Sequence, residues 1–111
     1  MKHLQVDLGF STADAERVQL SFDGSDVQLT FVDWQEVPRD HSFLEVLGFS
    51  WSEELDDSSI RDDVVYEVVD SPWLASQLEL NAIDDPYSYV HYKLCFNACG
   101  VLDVLCKRDA G

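Results

Sequence analysis

Apolar side chains recur at every second position through much of this chain, a spacing that fits β-strands and not helices. Leu4, Val6, Leu8 and Phe10 alternate with His3, Gln5, Asp7 and Gly9, as in a strand with one wet face. Val18, Leu20 and Phe22 alternate likewise, and after Asp23-Gly24-Ser25-Asp26 the pattern resumes as Val27, Leu29 and Phe31. A hairpin closing over those four residues pairs Phe22 with Val27, Leu20 with Leu29 and Val18 with Phe31. All six then share one face, and a one-residue slip would destroy the match. Asp23-Gly24 as a two-residue turn would keep the same faces in phase.

Residues 43–51 read as a further strand, with Phe43, Glu45, Leu47, Phe49 and Trp51 on one face. From Glu53 to Asp63 there are six acids and one Arg with no apolar period, so this stretch reads as a solvated loop. Val64 to Val69 is β-branched and too short for a helix. Ser71-Pro72 then supplies a helix start: an N-cap oxygen followed by proline at the first position, where its missing N–H costs nothing. That helix is expected to run to about Ala82, before Asp84-Asp85-Pro86 stops it. Alternation returns with Val90, Tyr92, Leu94 and Phe96, a turn follows at Asn97-Ala98-Cys99-Gly100, and Val101 to Cys106 completes a second hairpin. The expected architecture is α+β: a mostly antiparallel sheet of about six or seven strands, with one helix between the fifth and sixth. The 111 residues suffice for one domain, and 46% hydrophobic residues allow it a core.

Charge narrows the function. The chain has 22 Asp+Glu against 7 Lys+Arg, a formal charge of −15. Phosphate-binding faces need clustered Lys and Arg, so nucleic acid is excluded as the expected ligand, as is an anionic membrane surface. A basic protein is the natural complement, although acidity can serve solubility alone. No segment reaches the ~18 apolar residues of a membrane helix, and the first residues lack the apolar run of a signal peptide. Cys95, Cys99 and Cys106 are odd in number and crowded together, unlike a secreted disulfide framework. The reduced cytoplasm is the expected location.

Four groups of residues are candidates for function. His91, Cys95 and Cys99 have the spacing of zinc ligands if helical, but the alternating segment reads as a strand, where His91 and Cys95 share a face, Cys99 falls in the turn and a free cysteine is a small buried or half-buried residue. His3 or His41 could serve a cysteine nucleophile, although nothing in the sequence brings them together. No phosphate-binding, serine-hydrolase or metalloprotease motif occurs, and no cofactor is expected. Glu53, Glu54, Asp56, Asp57, Asp62 and Asp63 are either a solvated face or a docking surface for a basic partner. Trp51 and Trp73 read as core. Trp34, beside Asp33 and Glu36, is a candidate interface anchor, with edge packing as the alternative.

The Phe22-Asp-Gly hairpin, the Tyr66-Glu-Val strand leading into Ser71-Pro-Trp-Leu74, and His91-Tyr-Lys-Leu-Cys-Phe96 followed by Val101-Leu-Asp-Val-Leu105 form a pattern across most of the chain. The pattern resembles small acidic α+β proteins of bacteria, some grouped with the immunity proteins of toxin systems. That resemblance implies stoichiometric inhibition of a toxin by surface complementarity, without catalysis. Two other readings stay open: a metal-binding protein or enzyme using His91 with Cys95 and Cys99, and a structural module that dimerises through a sheet edge. Monomer and homodimer are both open.

Overall fold

The computed structural model describes residues 2–55 and 59–108. Among these described residues eight strands and one helix follow one another as β1 (Lys2–Val6), β2 (Glu16–Phe22), β3 (Val27–Val32), β4 (Pro38–Phe43), β5 (Gly48–Ser52), β6 (Val65–Val69), α1 (Pro72–Leu80), β7 (Tyr89–Phe96) and β8 (Gly100–Lys107). They form a five-stranded sheet in the order β1-β6-β7-β8-β5 and a three-stranded sheet in the order β2-β3-β4, antiparallel throughout. The α+β, mostly antiparallel expectation holds. The strand count was too low, and the helix lies between the sixth and seventh strands.

The extra strand is β4. Its sequence Pro-Arg-Asp-His-Ser-Phe is too polar to show an apolar period, because it is an edge strand that turns only alternate residues inward. The expected single strand over 43–51 is broken: Phe43 closes β4, Glu45 takes a left-handed φ of 48°, and β5 starts at Gly48. In the first hairpin, Phe22 pairs with Val27 and Leu20 with Leu29 as expected. The register then shifts between Glu16 and Gln19, where Arg17 has φ 55°, so Val18 and Phe31 are not directly opposed.

The two sheets face each other across the main core. Val27, Leu29, Phe31 and Phe43 meet Val90, Leu94, Phe96, Leu102, Val104 and Cys106, all buried. Phe31 and Phe96 join the sheets edge to face at 5.4 Å, a contact worth roughly 0.5–1.5 kcal/mol beyond its buried area. Strands β7 and β8 are buried on both sides, because the outer face of the large sheet is also covered. A second cluster of Tyr66, Cys95 and Val101 lies there under Leu55, Ile60 and Val64. Beside it, Trp73 of α1 sits over β5 at Gly48, where an added Cβ would be 3.1 Å from the indole. Trp73 is therefore half-buried and Trp51 is 38% exposed on an edge strand, so neither is the fully enclosed core residue expected.

Candidate functional site

The acidic segment joins β5 to β6 in sequence, and its described residues Leu55 and Ile60, with Val64, pack on the outer face of the large sheet. Its return leg is fixed at two points. The Tyr66 hydroxyl accepts the Arg61 N–H at 2.8 Å, and the Cys95 N–H reaches the Val64 carbonyl at 3.0 Å. Between this segment and the β7–β8 turn lies an open groove of about 490 Å³. Glu53, Glu54 and Asp62 stand along it together with Arg61, whose charge is taken up by Asp63, and Leu55, Ile60 and Val101 supply its apolar lining. Carboxylates around aliphatic surface suit a lysine or arginine side chain, whose stem is apolar and whose head is charged.

The expected acidic residues take different parts. Glu53 and Glu54 are exposed, as is Asp62, and none makes an ion pair among the described residues. Asp63, by contrast, is engaged internally: both its oxygens meet the Arg61 guanidinium at 3.0 Å. It adds little free negative charge to the groove. Asp56 and Asp57 lie outside the described residues.

Trp34 belongs to the same end of the molecule. It follows β3 by two residues, and β3 delivers Phe31 onto Phe96, the last residue before the β7–β8 turn. The same turn is tied back by Asn97, whose side chain accepts the Asp14 N–H at 2.8 Å. Trp34 is 58% exposed, yet its turn is rigid. Asp33, buried beneath it, accepts the N–H groups of Gln35 and Val37 at 2.9 Å and pairs with Arg39 at 3.0 Å. The Val37 N–H, with the Arg39 guanidinium, holds the Asp33 carboxyl below the usual carboxylate range against the opposing effect of burial. An exposed indole on a pre-ordered turn loses little entropy on binding.

The His91, Cys95 and Cys99 set is not assembled. The segment is a strand, which puts His91 and Cys95 on one face roughly 13 Å apart. Cys99 lies in the turn with its thiol on the Ala15 carbonyl at 3.2 Å. Among the described residues no three His, Cys, Asp or Glu side chains are grouped to hold a metal ion. His3 lies against Tyr66, and His41 packs against Phe10 and Phe43.

A different polar chain is present. The Ser71 hydroxyl lies 2.8 Å from His91 Nδ1, and His91 Nε2 lies 2.7 Å from Asp103, which also takes the Lys93 ammonium at 3.2 Å. Burial works to raise the Asp103 pKa, but the bond from His91 and the charge of Lys93 outweigh it and hold the carboxyl below its ordinary range. In the neutral imidazole an ionised Asp103 accepts from Nε2–H, and Nδ1 is then the atom that accepts the Ser71 proton. The Ser71 oxygen meanwhile caps α1 by accepting the Leu74 N–H at 3.2 Å.

The residue types are those of a hydrolytic triad, and Ser71 and His91 border a groove of about 330 Å³. The surroundings fit that chemistry poorly. Ser71 is 6% exposed, Pro72 after it has no N–H to offer an oxyanion, and the Leu74 N–H is already given to Ser71 itself. The chain is suited to fastening α1 to the sheet. Part of it could be found from the β7–β8 hairpin, which sets Lys93 opposite Asp103 with His91 two residues away on the same face. No local signal announces Ser71, because its approach depends on how the helix docks.

No protein-family model, no curated protein and no solved structure matches the chain.

Proposed function

We propose that this protein is a non-catalytic binding domain whose acidic end engages a basic protein. The immunity-type inhibition implied by the sequence resemblance is one form of that activity. The observation that carries the reading is the groove in which Glu53, Glu54 and Asp62 stand over the apolar surface of Leu55, Ile60 and Val101. The rigid, exposed Trp34 at the same end supports it, since tryptophan ringed by polar residues is a frequent energetic anchor of interfaces. The net charge of −15 would speed encounter with a basic surface, and the groove would give that encounter an address.

The test is titration of isotopically labelled protein with an arginine-rich peptide, followed by NMR at low and high salt. Shifts should concentrate at residues 53–55, 60–62 and 96–101 and at the Trp34 indole, and affinity should fall with salt. A Glu53→Gln, Glu54→Gln, Asp62→Asn triple variant should weaken binding about tenfold, or about 1.4 kcal/mol. A control triple at Glu79, Asp84 and Asp85 removes the same charge elsewhere and should do much less. Trp34→Ala should leave stability within about 0.5 kcal/mol while costing about 2 kcal/mol of binding. Equal losses from both triples would reduce the groove to a share of general charge and defeat the proposal.

A further inference from the structure

The two sheets have four edge strands, β1, β5, β2 and β4, and three of them carry features that discourage pairing with another chain. Strand β1 opens with Lys2, β2 is bent by the shift at Arg17, and β4 begins Pro38-Arg39-Asp40. Strand β5 has none of these. Its residues Gly48-Phe-Ser-Trp-Ser52 are uncharged and free of proline, and among the described residues they pair with β8 on one side only. Phe49 and Trp51 lie on its inner face, 39% and 38% exposed, with Phe22 of the other sheet 5.3 Å from Phe49 and itself 49% exposed. The sandwich therefore has an aromatic seam along an unprotected edge.

We infer that β5 pairs antiparallel with β5 of a second copy of this chain, joining two five-stranded sheets into one of ten strands. The sequence is self-complementary for this. A two-fold axis through Ser50 sets Phe49 opposite Trp51 of the second copy and Gly48 opposite Ser52, so each aromatic meets an aromatic on the same face. The charges also fit this register. The flanking acids Glu53 and Glu54 fall opposite the uncharged Leu47 and Val46 of the second copy, toward the sheet end where Lys107 meets Glu45 at 3.0 Å. No carboxylate within the paired strands faces another.

This surface adjoins the acidic groove at Glu53 and Glu54, and salt separates the two activities. Binding of a basic partner weakens as salt rises. Association of two copies, each carrying −15, strengthens because their long-range repulsion is screened. The test is sedimentation equilibrium of the full chain over a range of concentration and salt, with Ser50→Lys and Ser50→Glu variants. Ser50 is exposed but stands opposite Asp103 of β8, so far-UV circular dichroism and urea unfolding are run on both variants to show that each keeps the fold. Wild type should shift from 12.6 kDa toward twice that mass with concentration, and further with salt. Each variant alone places like charges on the axis and should raise the dissociation constant about fivefold. An equimolar mixture should regain the dimer as a heterodimer. Wild type that stays monomeric throughout would overturn the inference, as would a dimer indifferent to both variants, or one lost in each and not regained in the mixture.

Discussion

Ser71 and His91 stand 20 positions apart in the chain and 2.8 Å apart in the fold, joining the cap of the helix to the face of the sheet. Because His91 passes the connection to Asp103 at 2.7 Å, one run of hydrogen bonds spans α1, β7 and β8. Such a run is worth most when every member is satisfied, since a buried donor or acceptor left alone costs about 1–3 kcal/mol.

Ser71→Ala removes both the helix cap and the partner of His91 Nδ1. It should lower stability in urea unfolding by about 1–3 kcal/mol, while Ser71→Thr, which keeps the hydroxyl, should recover most of that. A loss below about 0.5 kcal/mol in the alanine variant would mean that the bond contributes nothing measurable.

Asp103 has a lowered folded pKa, so its contribution to stability is present above the ordinary carboxylate range. It is lost as pH falls through the folded value, because the unfolded chain takes up the proton first. Below about pH 5 wild type should therefore lose stability more steeply than Asp103→Asn. Parallel profiles for the two proteins would remove Asp103 from the acid limb.

Gly100 has φ 147°, and a Cβ there would lie 2.5 Å from the Ser52 carbonyl oxygen and 2.7 Å from the Trp51 ring. Gly100→Ala must both strain the backbone and displace the indole, at a cost of about 2 kcal/mol or more. Chemical denaturation with tryptophan fluorescence measures both effects. An unchanged midpoint would show that β5 yields freely at this point.

The cysteines should separate by reactivity. Burial pushes the Cys95 thiol up to about 11, and Cys106 is likewise buried, whereas Cys99 is half-buried in a turn. A thiol-reactive chromophore should modify Cys99 first in native protein and reach the other two only on unfolding. Rapid native labelling of Cys95, read by peptide mass mapping, would contradict this packing.

The legible part of the fold was the part in which local pattern and tertiary burial agree. Val18, Leu20, Val27 and Leu29 alternate because one face of their hairpin packs on the core, and the Ser71-Pro72 start acts locally, through the Ser71 side chain and the proline ring. Strand β4 was hidden because His41 and Arg39 occupy inward positions at an edge, where apolar residues would have announced them. At the candidate site, the acidity of residues 53–63 was plain, but the engagement of Asp63 by Arg61 and the rigidity of the turn beneath Trp34 arise from side-chain geometry that no spacing encodes. The Ser71–His91–Asp103 chain required knowing both the hairpin register and the docking of the helix.

The sheet order also bears on the time at which the protein can fold. Strand β8 follows every other strand in sequence, yet it sits inside the large sheet, between β7 and β5. During synthesis, residues 48–52 must wait for residues 101–105 before they acquire any partner in the sheet. Until then the uncharged aromatic strand has neither edge paired, in a chain whose pairings are largely long-range and therefore slow to close. The early hairpin of β2 and β3 can form from nearby residues, but the large sheet can be completed only after β8 has left the ribosome. The interval between those events is when β5 is most open to the wrong neighbour.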